Sequence, residues 1–147
     1  MTKIIVTESE NETILAGEEL AKEILEIDKD RSIVIFLEGE LGAGKTTLTK
    51  GILKGLNYDE MVTSPTYNLV QIHVTEKFKV FHFDLYRITE PIELEEIGID
   101  EYLNETSSLS IFEWPKNGEA NLPSPDYLIE ISYKEESERN IRELIVS

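Results

Sequence analysis

The chain has 147 residues, a formal net charge of −16 and no cysteine. This length suits a single domain over residues 1–147, and the lack of cysteine excludes disulfides and thiolate metal sites. The excess of carboxylates argues against a broad nucleic-acid-binding surface. The net charge still allows a local basic strip or binding to a basic protein partner. Since no apolar run approaches the ~20 residues of a membrane span and the first residues lack the apolar core of a signal peptide, we expect a cytoplasmic protein.

The N-terminal segment predicts a strand followed by a helix. Ile4-Ile5-Val6 is a short β-branched run, which favours a strand. Ser9 followed three residues later by Glu12 is the capping-box pattern that opens helices. Apolar and small residues then recur at helical spacing, at Ile14, Gly17, Leu20, Ala21, Ile24 and Leu25.

Residues 39–46, Gly-Glu-Leu-Gly-Ala-Gly-Lys-Thr, fit the phosphate-binding P-loop pattern. Glycines allow backbone N–H groups to crowd a phosphate, Lys45 supplies a cation for the β- and γ-phosphates, and the Thr46 hydroxyl can ligate Mg²⁺. An apolar run at 33–37 precedes the pattern and residues at helical spacing follow it. This strand–loop–helix context favours a phosphate site over the alternative, a glycine-rich turn without a ligand.

The segment Thr63–Tyr67 carries several hydroxyl groups around a proline that restricts the backbone. In a P-loop protein, a threonine-bearing segment after the first helix is where a γ-phosphate sensor would lie. An ordinary turn into a strand is the alternative, and the residues alone leave both interpretations open.

Residues 67–74 and 78–86 predict two strands joined as a hairpin. His82 and Asp84 share one face of the second strand, close to its end. The Asp84 carboxylate is suited either to contacting Mg²⁺ through water or to positioning an attacking water. We interpret His82 as a hydrogen-bonded structural residue, because a metal site would need a second histidine nearby.

Two short helices are predicted over residues 90–97 and 99–103, before the second informative stretch. There an apolar strand, residues 108–112, ends in the carboxylate of Glu113. This is the form of a Walker B element, whose carboxylate binds Mg²⁺ directly or through water.

The C-terminal part predicts a loop and a final hairpin. The loop, residues 116–126, contains proline and glycine, and the strands at 127–133 and 140–146 flank a charged turn at 134–139. We therefore predict an α/β fold: a P-loop NTPase-like domain with a mixed sheet, a parallel core flanked by helices, and a C-terminal antiparallel hairpin.

Four segments in this order resemble one family. They are the P-loop, Ser64-Pro65-Thr66-Tyr67, His82-x-Asp84-Leu85-Tyr86-Arg87 and Glu113-Trp114-Pro115. Together they resemble the TsaE (YjeE) family, small bacterial ATPases of tRNA threonylcarbamoyladenosine synthesis. The resemblance implies a protein that binds ATP and Mg²⁺, hydrolyses ATP slowly alone, and acts with the partner proteins TsaB and TsaD. In that family TsaD transfers the threonylcarbamoyl group to adenosine 37 of certain tRNAs, so tRNA contact by this chain would be indirect.

The resemblance also implies roles for individual residues. Thr46 and Glu113 would hold Mg²⁺, while Asp84 and Thr66 lie where the family has its catalytic and switch elements. Glu8 would lie near the adenine, and Lys116 and Arg139 match positions that contact the nucleotide. The phosphates would be cradled by Leu41, Gly42, Ala43, Gly44, Lys45 and Thr46.

Three other functions are alternatives. A small-molecule kinase of the P-loop class would need an arginine-rich lid, for which the chain offers only Arg31, Arg87, Arg139 and Arg142. A GTPase would need a guanine-reading Asn-Lys-x-Asp motif, which the sequence lacks. A binding module that does not hydrolyse ATP is the third.

Overall fold

The structure is a computed structural model that describes residues 2–27, 30–60, 62, 69–136 and 139–147, with the backbone alone for 134–136 and 139–141. The helices of this part are α1 Glu10–Leu25, α2 Lys45–Gly55, α3 Ile92–Glu96, α4 Ile99–Leu103 and a 3₁₀ helix at Pro115–Asn121. The strands are β1 Lys3–Thr7, β2 Ser32–Glu38, β3 Val70–Val74, β4 Lys79–Asp84, β5 Ser108–Glu113, β6 Tyr127–Glu136 and β7 Arg139–Val146.

These seven strands form one mixed sheet in the order β1-β7-β6-β2-β5-β4-β3. The four central strands, β6, β2, β5 and β4, run parallel, and antiparallel pairs flank them on both sides. Residues 33–37 of β2 are all buried, as expected for a central strand covered on both faces. The predicted fold class is confirmed, including its parallel core and its C-terminal antiparallel hairpin.

Helices cover both faces of this sheet. One face packs against α1 and α2 through residues such as Ile24, Ile35 and Leu48. The opposite face is covered by α3 and α4, with Phe83 and Phe112 stacked at 4.5 Å between ring centroids. The parallel strands therefore lie in the core, and their carboxyl ends emerge at one edge.

The N-terminus of α1 is capped as its sequence predicts. The Ser9 side chain accepts a hydrogen bond from Glu12 N at 3.1 Å, and Glu12 Oε2 accepts one from Glu8 N at 3.1 Å. This reciprocal pair satisfies backbone donors at the helix start, and it holds residues 8 and 9 in an ordered position.

Three predicted boundaries were wrong, and the first is the end of the strand predicted at 78–86, which stops at Asp84. The charged segment 134–139 is not a turn over its whole length, since β6 runs to Glu136 and β7 begins at Arg139. Main-chain pairing between the strands continues through Lys134↔Ile141, and such pairing outweighs the low strand propensity of charged residues. The predicted loop at 116–126 instead contains most of the 3₁₀ helix.

Membrane insertion has a simple length requirement, about 20 residues for a helix. Among the described residues, no helix is both long enough and apolar enough to cross a bilayer.

Candidate functional site

The carboxyl ends of the parallel strands bring two carboxylates together. Asp84 ends β4 and Glu113 ends β5, and the two residues are direct partners in the parallel ladder. On its other side Glu113 pairs with Leu37 of β2, the strand that leads into the P-loop. The parallel register thus places both acids beside the loop.

The loop reaches α2 through a glycine in the left-handed region. Gly44, the N-cap of α2, has a φ of +111°, a conformation that a residue with a Cβ rarely adopts. The next residue, Lys45, is 6% exposed. Its Nζ donates to the carbonyl oxygen of Gly39 and, at 3.3 Å, to that of Glu40, and it lies 4.2 Å from the centroid of the Trp114 ring. The ammonium group is therefore held against the loop and Trp114.

Burial opposes the charge on this lysine. It lowers the pKa of Lys45, while the nearby carboxylates of Glu113, Asp84 and Glu40 act in the opposite direction. An anion bound next to Nζ would add to the second effect and favour the protonated amine. The site thus holds a partly desolvated cation, whose charge an anionic ligand would stabilise.

Glu113 is held by a buried histidine. Glu113 is 3% exposed, and its Oε2 lies 2.5 Å from Nε2 of His82, which is itself fully buried. The hydrogen bond predicted for His82 is present. The contact orients the Glu113 carboxylate without help from solvent.

Asp84 has a different environment at the neighbouring strand end. Its Oδ1 accepts a hydrogen bond from Tyr86 N at 3.0 Å, and the residue is partly exposed. This bond fixes one oxygen of the carboxylate beside the P-loop. The two acids therefore differ: Glu113 is enclosed, and Asp84 is accessible.

The site offers one hydroxyl and two carboxylates as candidate Mg²⁺ ligands, those of Thr46, Asp84 and Glu113. Among the residues described, no group of three or more His, Cys, Asp and Glu side chains could hold a metal by itself. Mg²⁺ usually takes one or two protein carboxylates and completes its shell with water and phosphate oxygens. Thr46 and Glu113 line one cavity, so these two residues fit an ion that a bound phosphate would share.

That cavity has a volume of about 670 Å³, which is within the usual range for small-molecule sites. It brings together most of the predicted site residues, namely Glu8, Leu41, Gly42, Gly44, Lys45, Thr46, Asp84 and Glu113. Glu8 comes from the turn before α1, whose capping box orders it next to the P-loop.

Other predicted residues lie elsewhere. Lys116 and Ala43 line an adjoining cavity of about 740 Å³, which shares Leu41, Gly42 and Trp114 with the first. Arg139 begins β7, and its side chain lies outside the described residues. Thr66 and the rest of the predicted sensor, residues 63–67, also lie outside them.

Sequence reasoning missed Arg142, which lines the same cavity as Lys45, Thr46, Asp84 and Glu113. The alternation of side chains along the strand could have indicated this residue, because Arg142 shares a face of β7 with the buried residues Leu144 and Val146. A cation on an otherwise apolar strand face is unusual, and here it lies beside the P-loop.

Comparison with known proteins gives a consistent result. The family model described as "Threonylcarbamoyl adenosine biosynthesis protein TsaE" matches residues 7–141. The tRNA threonylcarbamoyladenosine biosynthesis protein TsaE of Haemophilus influenzae is 43% identical over 125 residues, which is 85% of this chain and 78% of that protein. The protein of the same name from Rickettsia bellii is 37% identical over 129 residues, 84% of this chain and 86% of the relative.

A solved structure shares the fold. The crystal structure of YdiB from Bacillus subtilis superposes with a TM-score of 0.78 at 27% sequence identity. The match covers 99% of this chain and 84% of that one.

Proposed function

This chain belongs to the TsaE family of threonylcarbamoyl adenosine biosynthesis proteins, and from that membership we propose that it binds ATP and Mg²⁺, hydrolyses ATP weakly, and takes part in the threonylcarbamoyladenosine modification of tRNA. The observation that carries the proposal is a single cavity lined by Lys45, Thr46, Asp84 and Glu113. These are the cation, hydroxyl and carboxylates that phosphoryl transfer from a nucleotide needs.

The chain's residues have separate roles in this proposal. Lys45 exchanges its loop carbonyl acceptors for phosphate oxygens, which are stronger, charged acceptors. Thr46 and Glu113 would hold Mg²⁺, which supplies charge neutralisation on the phosphate oxygens when bound. Asp84 orients the attacking water and takes its proton, because it is the accessible carboxylate of the pair. Positioning and electrostatics are the main contributions that such a site makes.

The chain would act within a larger assembly. We propose TsaB and TsaD as its partners, with tRNA contacted through them, because a chain of net charge −16 is poorly suited to binding phosphate backbones itself. Among the described residues, Lys45 and Arg142 are the cations that line the cavity, so weak hydrolysis by the chain alone is expected, and the partners would supply the remaining stabilisation.

ATP titration by calorimetry, with and without Mg²⁺, tests the binding site. Lys45→Ala should weaken ATP binding at least about tenfold, or 1.4 kcal/mol, since a buried cation is lost. Glu113→Gln should abolish most of the gain in affinity that Mg²⁺ provides, while affinity without Mg²⁺ changes little. Lys79→Ala, which removes an exposed cation paired with Glu105 at 3.1 Å, is the control. If Lys45→Ala binds ATP as tightly as wild type does, residues 39–46 are not a phosphate-binding loop.

Phosphate release measures the reaction itself. Asp84→Asn should retain ATP binding and lose most phosphate release, because the amide cannot accept the proton of water. If wild type releases no phosphate while binding ATP, the chain is a binding module. If ADP forms only after a small acceptor is added, the kinase alternative replaces hydrolysis.

The partners are tested by pull-down with purified TsaB and TsaD, with and without ATP. We expect nucleotide-dependent recovery of the pair with the wild-type chain and reduced recovery with Lys45→Ala. Failure to recover the pair under every nucleotide condition would remove TsaB and TsaD from the proposal.

A further inference from the structure

Arg142 is held between the terminal hairpin and the P-loop. Its guanidinium lies 4.2 Å from the ring centroid of Tyr133, its direct cross-strand partner. Nη2 lies 3.5 Å from the carbonyl oxygen of Gly42. A Cβ built on Gly44 would lie 3.4 Å from Nε of this arginine, so the side chain also packs against the start of α2.

The charges around the cavity give this arginine a role. The basic side chains that line it, among the described residues, are those of Lys45 and Arg142, whereas the acidic ones are Glu8, Glu10, Asp84 and Glu113. A nucleotide polyphosphate would enter a lining with more acids than bases. Like charges at short range cost several kcal/mol in a partly desolvated site, so each cation in this lining has a large effect on binding.

The existing contacts of Arg142 orient it without engaging it strongly. The Gly42 bond is at the long limit for a hydrogen bond, and it has a neutral acceptor. A phosphate oxygen is a better acceptor, because charge-assisted bonds are shorter and about twice as strong. Stacking on Tyr133 holds the planar group in place beforehand, which reduces the entropy lost on binding.

We propose that Arg142 is a second phosphate-binding cation of this site, supplied by β7 and oriented by Tyr133. The inference rests on the proposed nucleotide binding and adds a residue that comes from outside the P-loop and the ends of β4 and β5. It also joins the C-terminal hairpin to the phosphate site, so that ligand binding and the position of β7 depend on each other.

Binding of inorganic pyrophosphate and of ATP, each measured by calorimetry, tests this role. Pyrophosphate carries the anion without the base, so it reports the phosphate contact alone. Arg142→Ala should weaken both ligands about tenfold, and Arg142→Lys should lie between it and wild type, because a lysine keeps the charge and loses the planar fork. The affinity should also depend less steeply on salt in Arg142→Ala.

Lys22→Ala is the control, since it removes one positive charge from an exposed site on α1 that is paired with Glu19. It should bind both ligands as wild type does. Thermal unfolding without ligand separates a fold defect from a binding defect. If Arg142 only stabilised the fold, Arg142→Ala would lower the melting temperature, but its pyrophosphate affinity would equal that of wild type. If Arg142→Ala fails to fold, Arg142→Gln, which keeps most of the side-chain length, takes its place.

The proposal is overturned if Arg142→Ala or Arg142→Gln binds pyrophosphate and ATP as wild type does. It is also overturned if Lys22→Ala loses as much affinity for these ligands as Arg142→Ala does. Wild type that binds neither ligand would overturn the proposed function instead. If Lys45→Ala weakens the binding of ATP and Arg142→Ala does not, this inference alone is overturned.

Discussion

His73 shows how burial changes the chemistry of a single residue. It lies on β3, is 6% exposed, and its Nδ1 is 3.0 Å from the hydroxyl of Tyr58, whose ring it meets edge to face. Burial lowers the pKa of His73, the nearby imidazole of His82 lowers it further, and the carboxylate of Glu60 opposes both. The folded state therefore favours neutral His73 more than the unfolded state does.

The pH dependence of stability follows from that direction. Below the ordinary histidine pKa of about 6.5, the unfolded chain binds the proton more readily, so the free energy of unfolding falls as the solution is acidified through this range. We expect the melting temperature of wild type to fall more between about pH 7.5 and pH 5.5 than that of His73→Gln. Lys22→Ala, at an exposed position of α1, keeps the imidazole and its Tyr58 partner and should follow the wild-type profile. Parallel curves for wild type and His73→Gln would contradict the prediction.

At the scale of elements, the position of the cavity depends on how closely α1 and α2 pack. A Cβ built on Gly51 of α2 would lie 2.2 Å from the carbonyl oxygen of Ile14 in α1. The two helix backbones are therefore in direct contact at this point. The contact holds the N-terminus of α1, with Glu8 and Ser9, against the N-terminus of α2, where Lys45 begins the helix.

Substituting Gly51 tests this contact. Alanine favours a helix by about 1 kcal/mol relative to glycine, but here the methyl group would separate the helices, and overpacking typically costs 1–3 kcal/mol. Because the clash is with backbone, we expect Gly51→Ala to lower the free energy of unfolding in denaturant titration, by about 1–2 kcal/mol net.

Lys54→Ala, at an exposed position of α2, serves as the matched control. It should change stability by less than about 0.5 kcal/mol. A Gly51→Ala variant as stable as this control would show that the helices can separate without cost.

At the scale of the whole molecule, charge determines which partners the surface can bind. The chain has 30 acidic and 14 basic residues, and its described ion pairs, such as Arg31–Asp126 at 2.6 Å, occupy some of the cations. A surface of this charge repels nucleic acid at distances up to the Debye length, about 8 Å at physiological salt. We therefore expect direct binding of tRNA by this chain to be weak.

A gel-shift measurement examines this point. At about 0.15 M salt, the chain alone should leave tRNA unshifted, because counterion release needs clustered basic residues. The proposed assembly with TsaB and TsaD, run in parallel, is expected to shift tRNA and serves as the positive control. A shift by the chain alone that weakens as salt is added would contradict indirect contact and point to a local basic strip.

Most of the fold could be predicted from local patterns. The β2 apolar run, the Ser9–Glu12 capping box and the P-loop each combine a spacing with a residue type whose physical meaning is local. The hairpin boundary at residues 134–139 could not be predicted in this way, because cross-strand pairing extends both strands into a charged segment. Strand ends depend on partners that are distant in sequence.

The sequence by itself determined that a loop of the P-loop pattern follows a buried strand, that Glu113 ends an apolar strand, and that Asp84 lies close to the end of another. Tertiary structure alone decided what surrounds the loop: the parallel register makes Asp84 and Glu113 neighbours, His82 reaches Glu113, and β7 brings Arg142 against Gly42 across 100 residues of chain. The physical reason is that strand pairing and helix packing set distances between residues far apart in sequence, and local spacing carries no information about those distances.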